Sequence, residues 1–155
     1  MKSTTLIASL IIATGLNAGP ALGTNTAMLP TEKVQGAVSY ITGGIGEDES
    51  AAFKQAATAF PLEMLFVQKA RPRDEFLADV RVSVRDRAGN LMLETIAEGP
   101  FLLAKLPDGK YTIDAEYGGE RKRHSVDIRS GTHQRAVFAW APRDEIEGSV
   151  VSSAN

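Results

Sequence analysis

The stretch Phe101–Asp127, FLLAKLPDGKYTIDAEYGGERKRHSVD, decides how this chain folds. It opens with a turn, Leu106-Pro107-Asp108-Gly109-Lys110-Tyr111. Pro107 presets φ for the first central position of that turn, and Gly109 supplies permissive backbone behind it. Tyr111, Ile113, Ala115 and Tyr117 then alternate with Thr112, Asp114 and Glu116. A period of two sends one set into a core and the other into water. Gly118 and Gly119 follow, the composition of a tight hairpin, whose favoured turns need positive φ. The return run places His124, Val126 and Ile128 on one parity and Ser125, Asp127 and Arg129 on the other. Glu116, Arg121 and Arg123 lie near the hairpin, where cross-strand ion pairs can form.

Working outward, the same logic predicts further strands. Val34, Gly36, Val38 and Tyr40 share a parity and predict a first strand ending near Thr42. Gly43-Gly44-Ile45-Gly46 is a corner before Glu47-Asp48-Glu49, with Asp48 the expected N-cap of a helix. Phe53, Ala56, Ala57 and Phe60 fall on one helical face, and Pro61 ends the helix. Leu62–Gln68, LEMLFVQ, is apolar on both parities and reads as a strand covered on both sides, one of them by the helix of residues 49–60. A charged loop with Pro72 leads into Phe76–Asp86, where Ala78, Val80, Val82 and Val84 alternate with Asp79, Arg81, Ser83 and Arg85. Arg87-Ala88-Gly89-Asn90 is a turn, Leu91–Ile96 returns, Gly99-Pro100 breaks the chain, and Phe101–Leu106 resumes it. A last strand ends at Trp140. Seven to eight short strands at regular spacing, with one short helix inserted after the first strand, predict an all-β sandwich.

The flanks read differently. Lys2 followed by the apolar run Leu6–Ala18 and by Ala21-Leu22-Gly23 has the pattern of a secretory signal peptide over residues 1–23, with cleavage after Gly23 or, as the alternative, after Ala27. Residues 24–33 are expected to be a flexible leader, 34–141 the sandwich domain and 142–155 a disordered tail. The chain carries 17 Lys and Arg against 19 Asp and Glu, a net charge of −2, without the basic excess of a nucleic-acid binder. It contains no cysteine, so an exported form would have neither a disulfide staple nor a lipidated Cys, and packing alone must hold it together. No segment of the mature chain is long and apolar enough to span a membrane.

Three motifs together carry a resemblance: Asp79-Val80-Arg81-Val82-Ser83-Val84-Arg85-Asp86-Arg87-Ala88-Gly89-Asn90, then Gly99-Pro100-Phe101-Leu102, then Leu106-Pro107-Asp108-Gly109-Lys110-Tyr111-Thr112-Ile113. With Tyr40–Glu49 in front and Phe138-Ala139-Trp140 behind, residues 34–140 resemble the carboxypeptidase regulatory-like domain of small exported proteobacterial proteins. The resemblance implies an immunoglobulin-like or transthyretin-like β-sandwich that serves as an accessory. It implies no peptidase, because the zinc enzyme that gives the family its name is a separate domain, and its His-x-x-Glu ligand motif does not occur here.

Candidate sites are few. His124 and His133, the only two histidines, fall short of the three convergent ligands a catalytic zinc needs. Glu47, Asp48 and Glu49 lack the alternating ligands of a calcium loop and suit the start of a helix. Gly43–Gly46 has no Lys-Ser/Thr ending and so is not a phosphate loop. There is no Cys nucleophile and no Gly-x-Ser-x-Gly elbow. Tyr40, Tyr111, Tyr117 and Trp140 could stack on sugars if exposed, but their parity predicts burial. Arg121-Lys122-Arg123-His124 is the densest basic cluster, with Arg71 and Arg73 a second. Arg121, Lys122 and Arg123 read either as a contact for an acidic partner or as strand charges that keep an edge soluble. The expected function is that of a non-enzymatic accessory or protein-binding module of the bacterial envelope, periplasmic or secreted, with an envelope protein as partner, no cofactor and no nucleic acid. A carbohydrate- or small-ligand-binding module and an unrecognised hydrolase are the alternatives.

Overall fold

The computed structural model describes residues 28–142. The expected signal peptide over 1–23, the first part of the leader and residues 143–155 of the tail lie outside them. Within the described residues the chain is an all-β sandwich of a six-stranded and a four-stranded sheet, with one short helix.

The first sheet runs β1 (Lys33–Gln35), β2 (Val38–Gly43), β7 (Phe101–Lys105), β3 (Leu62–Gln68) and β10 (Gln134–Trp140), with the short β4 (Glu75–Phe76) also pairing with β3. The second runs β6 (Leu91–Ala97), β5 (Val80–Asp86), β8 (Gly109–Tyr117) and β9 (Glu120–Ile128). Pairing is antiparallel throughout except between β3 and β10, which lie parallel from Leu62↔Gln134 to Gln68↔Trp140. The chain crosses from the second sheet to the first between β9 and β10. Trp140 Nε1 closes that side by donating to Glu120 O at 3.1 Å.

The core between the sheets follows the alternation in the sequence. Val80, Val82 and Val84 of β5 and Tyr111, Ile113 and Ala115 of β8 meet Met64 and Phe66 of β3, Leu102 of β7 and Phe138 of β10. Burying each large apolar side chain removes it from water at a gain of about 1.5–3 kcal/mol, which is what holds a cysteine-free sandwich together. The turn before β8 is closed from within: Tyr111 Oη donates to Pro107 O at 2.8 Å, a tyrosine bonded back to backbone just upstream, as at the corner of many sandwiches. Burial, with Asp86 and Asp108 nearby, pushes the Tyr111 phenol up from its ordinary value. The β8–β9 hairpin turns on Gly118 and Gly119, at φ 58° and 83°.

The second apolar layer lies on the outer face of the six-stranded sheet. There α1 (Glu47–Ala56) and a 3-10 turn (Ala57–Ala59) set Phe53, Ala57 and Phe60 on Ile41, Leu65, Val67, Phe101 and Leu103. The rings of Phe53 and Phe101 stack at 5.8 Å. This double coverage is why β3 is apolar on both parities.

Three expectations are corrected. The predicted first strand is a hairpin: Gly36, at φ 58°, turns the chain between β1 and β2, so the helix follows two strands and Lys33 belongs to β1 rather than to a leader. The short β1 and β4 bring the strands to ten. Finally, the N-cap of α1 is Gly46, at φ 89°, and not Asp48. Asp48 lies within the first turn, and Glu49 Oε2 reaches back to accept from Ile45 N at 3.0 Å. Asp48 stands inside the helix, past the N-cap position, and among the described residues no side chain caps the first turn.

Candidate functional site

The outer face of the four-stranded sheet is left open. Register fixes what it displays. Arg81, Ser83 and Arg85 of β5 stand opposite Glu116, Asp114 and Thr112 of β8, which in turn face Arg121, Arg123 and Ser125 of β9. On the other side, Ser83 faces Glu94 of β6. Eight of the residues on this face, four of them arginines and three carboxylates, line a polar depression of about 510 Å³. Ser83 makes the hollow, because it is the short side chain between Arg81 and Arg85.

The ion pairs on this face are lopsided. Arg123 holds Asp114 with both ends of its fork, Nε to Oδ1 at 2.7 Å and Nη2 to Oδ2 at 3.0 Å. Arg121 Nη2 holds Glu116 Oε2 at 3.0 Å. Both acids of β8 therefore lean toward β9. The Arg123 guanidinium beside Asp114 holds its carboxyl below the usual carboxylate range, with Arg121 and Arg85 adding to the effect, and Asp114 in turn raises Arg123. Among the described residues the arginines of β5 form no ion pair, although Arg85 lies near enough to Asp114 to add to its field and Glu94 lines the same depression. Among the described residues Arg81 makes no ion pair and no side-chain hydrogen bond, and Arg85 Nη1 only donates to Gly89 O at 3.2 Å. The solvent face thus carries two spent guanidiniums on β9 and two available ones on β5.

The basic cluster expected as a partner contact is split by the strand period. Arg121 and Arg123 face the depression, while Lys122 points to the opposite side and pairs with Glu120 at 2.5 Å. Arg81 and Arg85 were visible in the sequence only as the polar parity of β5. Their signal was four-residue spacing on one strand face, and their availability depends on the cross-strand register. Arg71 and Arg73 are exposed on the loop before β4, away from the residues that line the depression.

The remaining candidates fall elsewhere. His124 packs its ring on Phe138 at 4.5 Å. His133 sits on the other sheet, where Nδ1 donates to Phe60 O at 2.9 Å and Nε2 lies 3.1 Å from Glu63 Oε2. Arg135 Nε is 3.3 Å from the other oxygen of the buried Glu63. Sequence reading did not single out this cluster, which clips β10 and the 3-10 turn to β3. Tyr40, Tyr111 and Trp140 are buried and Tyr117 packs edge-on against Trp140 at 5.8 Å, so these four build no exposed stacking platform. Neither a scan of protein-family models nor a search of curated proteins finds a match to the chain.

Proposed function

We propose that this protein is an exported, non-enzymatic accessory module of the bacterial envelope that docks a protein partner on the open face of its four-stranded sheet. One observation carries the reading: Asp114 and Glu116 are drawn to β9, and among the described residues the guanidiniums of Arg81 and Arg85, on either side of the hollow at Ser83, form no ion pair. Arginine forks suit recognition of carboxylates on another chain, since they offer several donors in fixed geometry. Two of the three carboxylates of the hollow, Asp114 and Glu116, are engaged in pairs with arginines of β9 rather than poised for proton transfer, which favours binding over catalysis. The resemblance of residues 34–140 to carboxypeptidase regulatory-like modules, which are accessories, points the same way. The apolar segment Leu6–Ala18 after Lys2 supports export.

The test is in-cell crosslinking of the tagged protein, followed by mass spectrometry of periplasmic and released fractions, with wild type beside Arg81→Gln/Arg85→Gln. A dominant envelope protein captured by wild type and lost from the folded double variant is the expected result. Identical capture by both proteins would place the docking surface elsewhere.

A further inference from the structure

The open face also specifies what kind of surface it would accept. Arg81 and Arg85 stand four residues apart on β5, about 13 Å along an extended strand. Arg85 is drawn toward the β5–β6 turn by its bond to Gly89 O, so the two guanidiniums are held apart and do not converge on a single small anion. Glu94 flanks this lane on the β6 side, and Asp114 and Glu116 flank it on the β8 side. A negative ligand that strays toward β6 meets the like charge of Glu94, and one that strays toward β8 meets carboxylates already paired with arginines of β9, whereas one that follows β5 meets guanidinium donors at both ends and the Ser83 hydroxyl in the middle. Side chains on one side of an extended peptide recur every second residue, about 7 Å apart, so two such steps span the separation of the two arginines.

We infer that the docked partner presents an extended acidic segment, with carboxylates on alternate residues, lying along β5 over Ser83 and gripped by Arg81 and Arg85. The inference rests on the reading that this face is a docking surface. The occupant is argued from charge and period together. Four guanidiniums meet three carboxylates on this face and two of each are paired with one another; of what remains, Glu94 stands to the β6 side and the two arginines lie in line along one strand, so the surplus charge is positive. A lipid headgroup or free phosphate would satisfy one guanidinium and would have no use for the spacing of the second. An acidic segment with this repeat satisfies both.

The probe is a synthetic peptide of alternating Glu and Thr, blocked at both ends, titrated into the purified protein at low ionic strength and followed by amide NMR shifts. The expected result is saturable binding, with shifts centred on Arg81–Arg85 and weakening as salt rises. Affinity should fall at least tenfold in Arg81→Gln/Arg85→Gln, and as much for the peptide with Gln in place of Glu. It should fall several-fold when the same Glu residues are placed at every third position, because no two of them then stand four residues apart on one face. Absence of saturable binding, or equal binding by the double variant, overturns the inference. So does an affinity for inorganic phosphate or for phosphatidylglycerol vesicles that equals the peptide's, which would make the occupant a small anion or a lipid surface. The two levels of the reading fail separately. If the peptide does not bind but the double variant still loses its crosslinked partner in cells, the docking face stands and the acidic segment falls. If the crosslink also survives the double variant, the face itself is not the docking surface.

Discussion

The two sheets of this sandwich have outer faces with opposite fates. On the six-stranded sheet the outer residues Ile41, Leu65, Val67, Phe101 and Leu103 are apolar and roofed by Phe53, Ala57 and Phe60. On the four-stranded sheet the outer residues Arg81, Ser83, Arg85, Asp114, Glu116, Arg121 and Arg123 carry charge or a hydroxyl, and nothing among the described residues roofs them. The strands share one core and differ only in their second parity. That parity decides whether a face becomes structure or remains available for contact. A covered face gains free energy from burial, and an open face gains little from its ion pairs, which water and salt screen. Residues on the open face are therefore free to be chosen for recognition.

The comparison can be broken most severely through what the faces share. Val80 is fully buried between the sheets. Val80→Asp would place an unpaired carboxylate there and should cost at least about 4 kcal/mol, enough to abolish a cooperative thermal transition. Normal melting would mean that the assignment of inner and outer parity on β5 is inverted. The next largest effect tests the roof. Phe53 is fully buried and stacks on Phe101. Phe53→Ala should cost about 3–4 kcal/mol in urea denaturation, and hydrogen exchange should rise first in α1 while β5 and β8 stay protected. A loss of less than about 1 kcal/mol would show that the helix contributes little to the covered face.

How far the sequence foretells each face depends on the range of the interactions that set it. The run LEMLFVQ of β3 announced a doubly covered strand, and the valines of β5 announced the core, because burial repeats with the strand period and can be counted along the chain. Gly36 was less legible, since Val34, Gly36, Val38 and Tyr40 keep parity straight through the turn that separates β1 from β2. The cap of α1 was missed for a similar reason: acids favour a helix start in general, but the backbone of Gly46 and the reach of Glu49 to Ile45 decide which residue begins it. The candidate site was the least legible. Arg121, Lys122 and Arg123 are adjacent in sequence, which makes them look like one cluster, and the strand period sends Lys122 to the other side. Arg81 and Arg85 look like ordinary solvated strand charges until the register shows Glu116 and Asp114 turning away from them toward β9. Pairing between distant segments sets that asymmetry, and no local pattern encodes it.

Two smaller effects sharpen the contrast on the open face. The first concerns Asp114. Its carboxyl is held below the usual carboxylate range chiefly by the hydrogen bonds from Arg123, so its stabilisation is present in full above the unfolded value, about 4, and is lost as pH falls through the lower folded value. Asp114→Asn should therefore have a lower urea midpoint than wild type at pH 7, and the gap should close as both are taken below about pH 4. A gap that stays constant with pH would mean that the pair with Arg123 has no ionic share in stability. The smallest effect is the most informative. Arg81 is exposed, and among the described residues it bonds to nothing, so Arg81→Gln should leave the thermal midpoint almost unchanged, within about 0.5 kcal/mol of stability. Arg123→Gln breaks a bidentate pair and should destabilise more than Arg81→Gln in the same melt. If β5 is the contact strand, the order reverses for binding: Arg81→Gln weakens partner capture more than Arg123→Gln does, because the β5 guanidinium is available to another chain and the β9 guanidinium is already engaged. Parallel ranking of the two variants in stability and in capture would mean that the lean of the acids toward β9 has no functional consequence.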